Sequence, residues 1–262
     1  ERALAAAGVA PEELDIIILG TSSPDRNYPS DACSVQAAIG AVNAVAFDIS
    51  AACAGFIFAM NIVEGFFKAG IYKTALIIGA ETLSKVTDWN DRGTCVLFGD
   101  GAGAAVLKAE ETGIIDMMMG ADGTKGDVLA CTSRTVGNFL TGTKPELGFM
   151  TMDGQEVFKF AVRKVPESVI ELLQRTGTKK EDIKYYVLHQ ANERIIEAAA
   201  RRLKEPMEKF PMTISQFGNT STASIPLLLD DMIRKDMLKR GDKIIMSGFG
   251  AGMTWGAALM EW

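Results

Sequence analysis

The chain has 262 residues, of which 48% are hydrophobic and 23% are charged, and it carries a net charge of −6. This composition is typical of a globular protein with a sizeable core. The acidic balance disfavours nonspecific binding to nucleic acid or to an anionic membrane surface, and no apolar run is long enough to span a membrane.

The four cysteines show no C-x-x-C spacing and there is a single histidine, so no metal site is expected. Residues 1–4 read as the charged start of a helix and not as a signal peptide. We therefore expect a cytoplasmic protein with reduced thiols. Because the first residue is not Met and lies inside a helical pattern, we also expect that a preceding segment is missing.

Short apolar runs alternate with helical stretches along the chain. Strands are predicted at residues 16–19, 45–49, 75–78 and 104–107, and then at 113–119, 186–188, 244–246 and 257–260. Helices are predicted at residues 55–68, stopped by Gly70, and at 192–204, stopped by Pro206. This alternation indicates an α/β fold whose sheets are covered by helices.

The two parts of the chain match each other at one fixed separation of 169 residues. Residues 13–20 align with 182–189, residues 50–54 with 219–223, and residues 73–79 with 242–248. Three matches in the same order indicate a duplicated α/β unit, and the separation is too long for a solenoid repeat. We therefore expect two fused halves, residues 1–112 and 113–262, that share one core.

Cys53 lies between the predicted strand at 45–49 and the predicted helix at 55–68. A thiol at a helix N-terminus lies near unpaired N–H groups and the positive end of the helix dipole, which favour the thiolate. Its pKa is then expected to fall from about 8.5 to about 7 or lower. Cys53 is either a nucleophile or a small buried core residue. The cysteines that lack this placement are Cys33, Cys95 and Cys131.

His189 ends a predicted strand, at the edge where α/β proteins bind their ligands. Its counterpart in the first half is Gly20, and Asn219 lies at the turn that matches the turn of Cys53. If the halves pair about a two-fold axis, Cys53, His189 and Asn219 converge near that axis. A lone histidine is otherwise most often a structural residue.

Two glycine-rich stretches, residues 99–103 and 248–252, lack the G-x-G-x-x-G and phosphate-loop patterns, so close strand packing is expected for both. A backbone N–H of residues 250–252 is a candidate oxyanion donor. On the second predicted helix, three arginines share one face, which is either solvated or a docking surface for an acidic partner. They are Arg194, Arg201 and Arg202.

Four motifs carry a family resemblance: DISAACAGF at residues 48–56, HQAN at 189–192, GNTSTASIP at 218–226 and FGAGMTWG at 249–256. In this order and with this spacing, the chain closely resembles β-ketoacyl-[acyl-carrier-protein] synthase III over its whole length, with the family's N-terminal segment absent. The resemblance implies the thiolase fold, with duplicated α/β halves in a five-layered αβαβα sandwich, and a homodimer. It also implies the first condensation of fatty acid synthesis. An acyl-CoA such as acetyl-CoA and malonyl-acyl-carrier protein give a 3-oxoacyl-carrier protein, CoA and carbon dioxide, and no cofactor is required.

The resemblance further implies roles for individual residues. Cys53, His189 and Asn219 match the catalytic triad, and the N–H groups of Cys53 and Ala251 match the oxyanion hole. The matches to CoA- and substrate-binding positions are Arg92, Phe158, Asn192, Tyr28 and Phe249, with Tyr28 reaching into the acyl pocket of the partner subunit. The matches to the carrier-protein docking patch are Lys159, Arg194, Arg201 and Arg202.

The sequence narrows the subclass. Thiolases need a second cysteine in the C-terminal glycine-rich loop and elongating synthases need a second histidine, and this chain has neither. Three alternatives stay open. One is a related Cys-His-Asn 3-oxoacyl synthase of secondary metabolism or long-chain condensation, although the bulky Tyr28 favours short primers. The others are a non-catalytic acyl-binding relative and a cysteine hydrolase.

Overall fold

A computed structural model of the protein describes residues 1–133 and 135–262. The strands, in chain order, are β1 (Ile16–Gly20), β2 (Val45–Ile49), β3 (Thr74–Glu81), β4 (Gly101–Lys108), β5 (Ile114–Ala121), β6 (Leu129–Cys131), β7 (Met150–Met152), β8 (Ile183–Leu188), β9 (Lys243–Gly250) and β10 (Thr254–Glu261). The α-helices are α1 (Arg2–Ala7), α2 (Asp31–Ile39), α3 (Gly55–Lys68), α4 (Gly154–Thr176), α5 (Glu193–Leu203), α6 (Ile214–Phe217) and α7 (Ser224–Arg234).

Two four-stranded sheets form the frame of the molecule. The first has the order β2-β1-β3-β4, with β4 antiparallel to the others. The second has the order β5-β10-β9-β8, with β10 antiparallel to the others. The first sheet ends at residue 108 and the second begins at residue 114, so each sheet belongs to one of the two matched parts of the sequence.

Helices α3 and α7 form the middle of five layers, because both contact strands of the two sheets. Phe56 and Met60 of α3 and Leu228 and Met232 of α7 are buried in the same central core. Helices α4 and α5 cover the outer face of the second sheet, and α1 and α2 cover the first. The αβαβα layering of the thiolase fold, expected from the resemblance, is confirmed.

The duplication is visible in the backbone. The turn Ala52–Ala54 before α3 corresponds to the turn Ser221–Ala223 before α7, and both are one turn of 3₁₀ helix. Their first residues, Ala52 and Ser221, have φ values of 46° and 49°, in the left-handed region that non-glycine residues seldom adopt. The halves differ at β2, because the second half has the short helix α6 at the matching position.

The predicted helices were correct to within one residue at each end, with Asn192 standing as the N-cap of α5 and not inside it. The segment 21–30 is irregular and is exposed only in part. Thr21 and Ser23 are buried because their hydroxyls bond to other groups in the interior. In the described ranges, no helix is both long and apolar enough to cross a membrane.

Candidate active site

Cys53 is buried in the turn between β2 and α3, and contacts from the second half hold this turn. The Thr222 hydroxyl donates to the Ala52 carbonyl at 2.8 Å, and the Thr254 hydroxyl donates to the Ala51 carbonyl at 3.1 Å. These two contacts fix the strained backbone of the turn.

Two glycines of β9 allow this turn to approach the second sheet. A Cβ at Gly250 would lie 2.5 Å from the Cys53 backbone nitrogen, and a Cβ at Gly248 would lie 3.3 Å from the Cys53 carbonyl oxygen and 3.6 Å from the His189 Cβ. A side chain at Gly250 would displace the turn of Cys53, and one at Gly248 would crowd it. The expectation of close packing by the glycine-rich stretch is therefore confirmed, and Cys53 and His189 flank the same glycine.

His189 directly follows β8 and is 2% exposed. Its backbone N–H donates to the Ser247 carbonyl at 2.8 Å, and its ring packs edge-on against Phe249 with centroids 5.5 Å apart. Its Nδ1 lies 2.6 Å from the Ser224 hydroxyl oxygen. Burial lowers the pKa of His189 to about 3, so the ring is neutral at physiological pH.

Asn219 is held by backbone from the first half. Its N–H donates to the Leu97 carbonyl at 2.8 Å and its carbonyl accepts from the Gly99 N–H at 2.9 Å. Its side-chain Oδ1 accepts from the Ser221 N–H at 2.9 Å, so the amide oxygen is already used and the Nδ2 donor remains for a ligand. The Ser221 side chain lies beside the Cys53 thiol and acts to lower its pKa, which links the Asn219 turn to Cys53.

The prediction of a lowered Cys53 pKa is wrong for the ligand-free protein. Burial raises the pKa of the thiol to about 12; the Ser221 hydrogen bond lowers it in part, and the Glu81 carboxylate raises it further. The N-terminus of α3 lies two residues beyond the thiol, but the loss of hydration outweighs its effect. Cys53 is therefore a protonated thiol in the resting protein.

Sequence reasoning missed a buried polar cluster beside Cys53. Glu81, at the end of β3, accepts hydrogen bonds from Thr21, Ser22 and Ser23, and its Oε1 also contacts the Thr222 hydroxyl. The contact with the Thr222 hydroxyl is 2.9 Å long, and that hydroxyl also bonds to the turn of Cys53. The feature of the sequence that could have pointed to Glu81 is a charged residue at the end of an apolar strand.

Three of the residues expected to bind CoA, Arg92, Phe158 and Asn192, lie nearer the surface than Cys53, His189 and Asn219. Asn192 caps α5 by accepting from the Arg194 N–H at 2.9 Å, and Phe158 of α4 lies under the Arg194 guanidinium, 5.8 Å from it. Arg92 is exposed between Asp91 and Gly93, which line an open cleft of about 790 Å³ that extends to the start of α4. Cys53, His189 and Asn219 do not line this cleft.

The basic residues expected to dock a carrier protein are exposed, but three of them have acidic neighbours. Lys159 pairs with Glu156 at 2.7 Å, Arg201 with Glu197 at 3.6 Å and Arg202 with Glu167 at 3.5 Å. Within the described ranges, Arg194 has no carboxylate within 4.0 Å. The positive field of this face is therefore weaker than the arginine spacing suggested, and it is strongest at Arg194.

Comparison with known proteins connects this geometry to a family. Residues 47–123 match the profile of 3-oxoacyl-[acyl-carrier-protein (ACP)] synthase III, and residues 173–262 match the profile of its C-terminal part. A β-ketoacyl-[acyl-carrier-protein] synthase III from Clostridium acetobutylicum is 51% identical to the chain, covering 100% of it and 81% of the relative. Another from Caldanaerobacter subterraneus is 49% identical over 100% of the chain and 80% of the relative.

Solved structures agree with the sequence relatives. The 3-oxoacyl-[acyl-carrier-protein] synthase III of Aquifex aeolicus superposes with a TM-score of 0.91 at 45% identity, covering 99% of the chain and 81% of that structure. A priming β-ketosynthase from the R1128 polyketide pathway superposes with a TM-score of 0.89 at 35% identity, covering 99% of the chain and 79% of that structure.

The fold and these likenesses define a condensing enzyme of the thiolase fold, an acyltransferase by class. The two family profiles and the identity of about half the residues with full-length relatives narrow this further. The chain belongs to the 3-oxoacyl-[acyl-carrier-protein] synthase III family, and its function is the condensation that initiates fatty acid synthesis.

Proposed function

We propose that the chain first transfers an acyl group from a short acyl-CoA, preferably acetyl-CoA, to Cys53. The acyl group then passes to the C2 carbon of the malonyl group on malonyl-[acyl-carrier protein]. The products are a 3-oxoacyl-[acyl-carrier protein], CoA and carbon dioxide. The observation that supports the proposal is that Cys53 and His189 flank Gly248 in the interior, and that the buried Asn219 is linked to Cys53 through Ser221. No cofactor takes part, since both substrates are activated thioesters.

In the first half-reaction, the Cys53 sulfur attacks the acyl-CoA carbonyl and the thiol proton leaves with CoA. The backbone N–H groups of Cys53 and Ala251 stabilise the oxyanion, and each such donor contributes roughly 10²–10³ in rate. The closeness of Gly250 to the Cys53 nitrogen supports this pairing. An acyl-enzyme forms, and ping-pong kinetics follow from it.

In the second half-reaction, malonyl thioester binds in place of CoA. His189 and Asn219 donate hydrogen bonds to its thioester oxygen and stabilise the enolate that remains when carbon dioxide leaves. The carbanion attacks the acyl group, and Cys53 is released as a thiolate that takes up a proton. His189 is neutral, and Asn219 Nδ2 has no hydrogen-bond partner among the described residues. Both side chains can therefore donate a hydrogen bond to the thioester oxygen, and neither has to act as a general acid.

We further propose a cytoplasmic location, because free thiols suit a reducing compartment. The free cysteines are Cys33, Cys53, Cys95 and Cys131. We also propose that residues 1–112 and 113–262 act as two halves of one catalytic unit, since each contributes to the same centre. Arg92, Phe158 and Asn192 are proposed to line the path of CoA, with Phe249 holding the His189 ring in place.

Intact-protein mass spectrometry after incubation with a panel of acyl-CoAs tests the proposal. Acetyl-CoA should add one acetyl group at Cys53, and the group should disappear when malonyl-[acyl-carrier protein] is added. A synthase of long-chain condensation would take long acyl groups in preference, and a non-catalytic relative would stay unmodified. Loss of the acyl group to water alone would indicate a hydrolase.

The arginine face of α5 is proposed to dock the acidic carrier protein. We expect Arg194→Glu to raise the KM for malonyl-[acyl-carrier protein] roughly 3- to 30-fold and Arg201→Glu by less, because Arg201 already faces Glu197. The KM for acetyl-CoA in Arg201→Glu should stay nearly unchanged, and the wild-type KM for the carrier protein should rise with salt.

Arg234→Glu is the matched control for Arg201→Glu. Both arginines are exposed on eleven-residue helices and pair with a carboxylate four residues earlier, but Arg234 lies on α7. The two substitutions change the net charge equally. An equal effect of both on the carrier-protein KM would show that overall charge matters and that the α5 face is merely solvated.

A homodimer is proposed from three surface features. Strand β2 is an edge strand, so one row of its backbone groups is available for pairing. Tyr28 is 85% exposed on the loop before α2, whose first N–H groups bond to Asp48 of β2. The large apolar side chains exposed between residues 136 and 149 are Val136, Phe139, Leu140, Leu147 and Phe149. Aromatic and apolar residues of this kind are enriched at interfaces.

If Tyr28 closes the acyl pocket of the partner subunit, Tyr28→Ala should shift the preference toward longer acyl-CoAs. Each added methylene should then be favoured by up to ~0.8 kcal/mol, about fourfold in kcat/KM. Trp89→Ala is the control, since Trp89 is also an exposed aromatic residue, at 66%. A fully active monomer in sedimentation, or the same chain-length profile in Tyr28→Ala and wild type, would rule out this role.

A further inference from the structure

Ser224 makes a buried contact with the histidine of the proposed site. Its hydroxyl oxygen lies 2.6 Å from His189 Nδ1 and accepts from the Gln190 N–H at 3.3 Å. Both Ser224 and His189 are 2% exposed, so water does not compete for this contact. Ser224 is the first residue of α7, which fixes its position relative to β8.

The hydrogen atoms in this contact can be assigned by counting. The hydroxyl has one proton, and the Gln190 N–H can only donate to it. If the hydroxyl donates to Nδ1, all three groups are paired, and the imidazole proton must be on Nε2. If Nδ1 carried the proton instead, the hydroxyl would accept twice, and its own buried proton would have no further partner among the described residues. An unpaired buried donor of this kind disfavours the second arrangement roughly tenfold to a hundredfold.

The duplication provides a second, independent observation. At the same separation in the first half, Gly20 replaces His189 and Gly55 replaces Ser224. The methyl group of Thr222 occupies that space, 2.7 Å from a Cβ built at Gly20 and 3.0 Å from one built at Gly55. The serine hydroxyl is thus present only in the half that has the histidine, and the matching space in the first half is filled by a threonine methyl that comes from the second half.

We propose that Ser224 is a positioning residue that holds His189 in the tautomer with its proton on Nε2, so that Nε2 donates to the malonyl thioester oxygen. The second clause rests on the proposed function. Burial keeps the ring neutral, so protonation does not override the choice of tautomer.

The single histidine makes the proposal directly measurable. In protein labelled with ¹⁵N-histidine, two ring nitrogens give signals, and their couplings to the ring protons identify the protonated one. We expect one tautomer in the wild type, with Nε2 protonated and Nδ1 in the shift range of a hydrogen-bonded acceptor. A protonated Nδ1 in the wild-type resting protein would overturn the proposal without any variant.

Ser224→Ala tests whether the serine is the cause. We expect the Nδ1 signal to move to that of an unbonded nitrogen or to a mixture of tautomers. Decarboxylation of malonyl-[acyl-carrier protein] should fall at least roughly tenfold, with acylation by acetyl-CoA changing less than about threefold. Ser224→Thr, which keeps the hydroxyl, should restore the Nδ1 shift. Identical ring shifts in wild type and Ser224→Ala would overturn the role.

Ser168→Ala is the matched control. Ser168 is also a 2% exposed serine, whose hydroxyl bonds to the Val165 carbonyl at 2.9 Å and lies 3.3 Å from the Ser247 hydroxyl, without a hydrogen bond to the His189 ring. Its loss should leave the ring shifts and decarboxylation unchanged. The ring shifts need no substrate, so a wild type with the expected tautomer but no decarboxylation would contradict the proposed function and not the assignment of the tautomer.

Discussion

Cys53→Ser should lower condensation by at least roughly 10³-fold while leaving the fold intact, because the proposed reaction passes through a thioester on this sulfur. A serine oxygen is smaller than the sulfur that it replaces, so the buried turn keeps its shape with at most a small void. The hydroxyl is a much weaker nucleophile than a thiol or a thiolate. Steady-state condensation and circular dichroism of the variant measure the two parts of this expectation.

Cys131→Ser is the control for this substitution. Cys131 is exposed, whereas Cys53 is buried, so a nonspecific acyl transfer would favour Cys131. Mass spectrometry should find the acyl group unchanged in Cys131→Ser and absent in Cys53→Ser. Substantial condensation by Cys53→Ser, or an acyl group that follows Cys131, would refute the assignment of the nucleophile.

His189→Ala and Asn219→Ala should each lower malonyl decarboxylation roughly 10²–10³-fold, and acylation of Cys53 far less. Both side chains are proposed to stabilise the enolate, whereas the oxyanion of the acylation step is held by backbone N–H groups. Radiolabelled carbon dioxide release and single-turnover acylation should be measured separately. Equal loss of both half-reactions would contradict this division of roles.

Asn219→Asp separates the chemical role of the asparagine from its structural role. The carboxylate retains an oxygen to accept from the Ser221 N–H, the contact that Asn219 Oδ1 makes at 2.9 Å. It lacks the Nδ2 donor, and its negative charge repels an enolate. Decarboxylation should therefore fall in Asn219→Asp at least as far as in Asn219→Ala, although the turn is preserved. Near-normal decarboxylation would mean that Asn219 only shapes the turn.

Much of the fold was predictable from the sequence, because strands β1, β3, β8 and β9 are apolar runs bounded by turns. The separation of 169 residues predicted the paired halves, and it gave the register of the two 3₁₀ turns. Strand β2 and helix α6 break this register, and the local sequence did not reveal that difference because both segments are short and mixed in polarity.

Only those candidate site residues that lie within a short recognisable motif were predictable from the sequence. Cys53, His189 and Asn219 follow from such motifs, but the raised pKa of Cys53 does not, because it depends on how completely the second half covers the thiol. The ion pair of Arg202 was likewise missed, since Glu167 comes from another helix. Partners that are distant in sequence decide both properties.

Thr222, which matches Cys53 in the duplication, makes the two halves of the fold unequal. Two identical units would place a thiol on each side of the axis, but this chain has Thr222 in the second place, with its hydroxyl bound to the Ala52 carbonyl and to Glu81. In the proposed reaction, one copy of the repeated turn provides the nucleophile and the other supports it. Each chain would then contain one such centre, and either half alone would lack Cys53 or both His189 and Asn219.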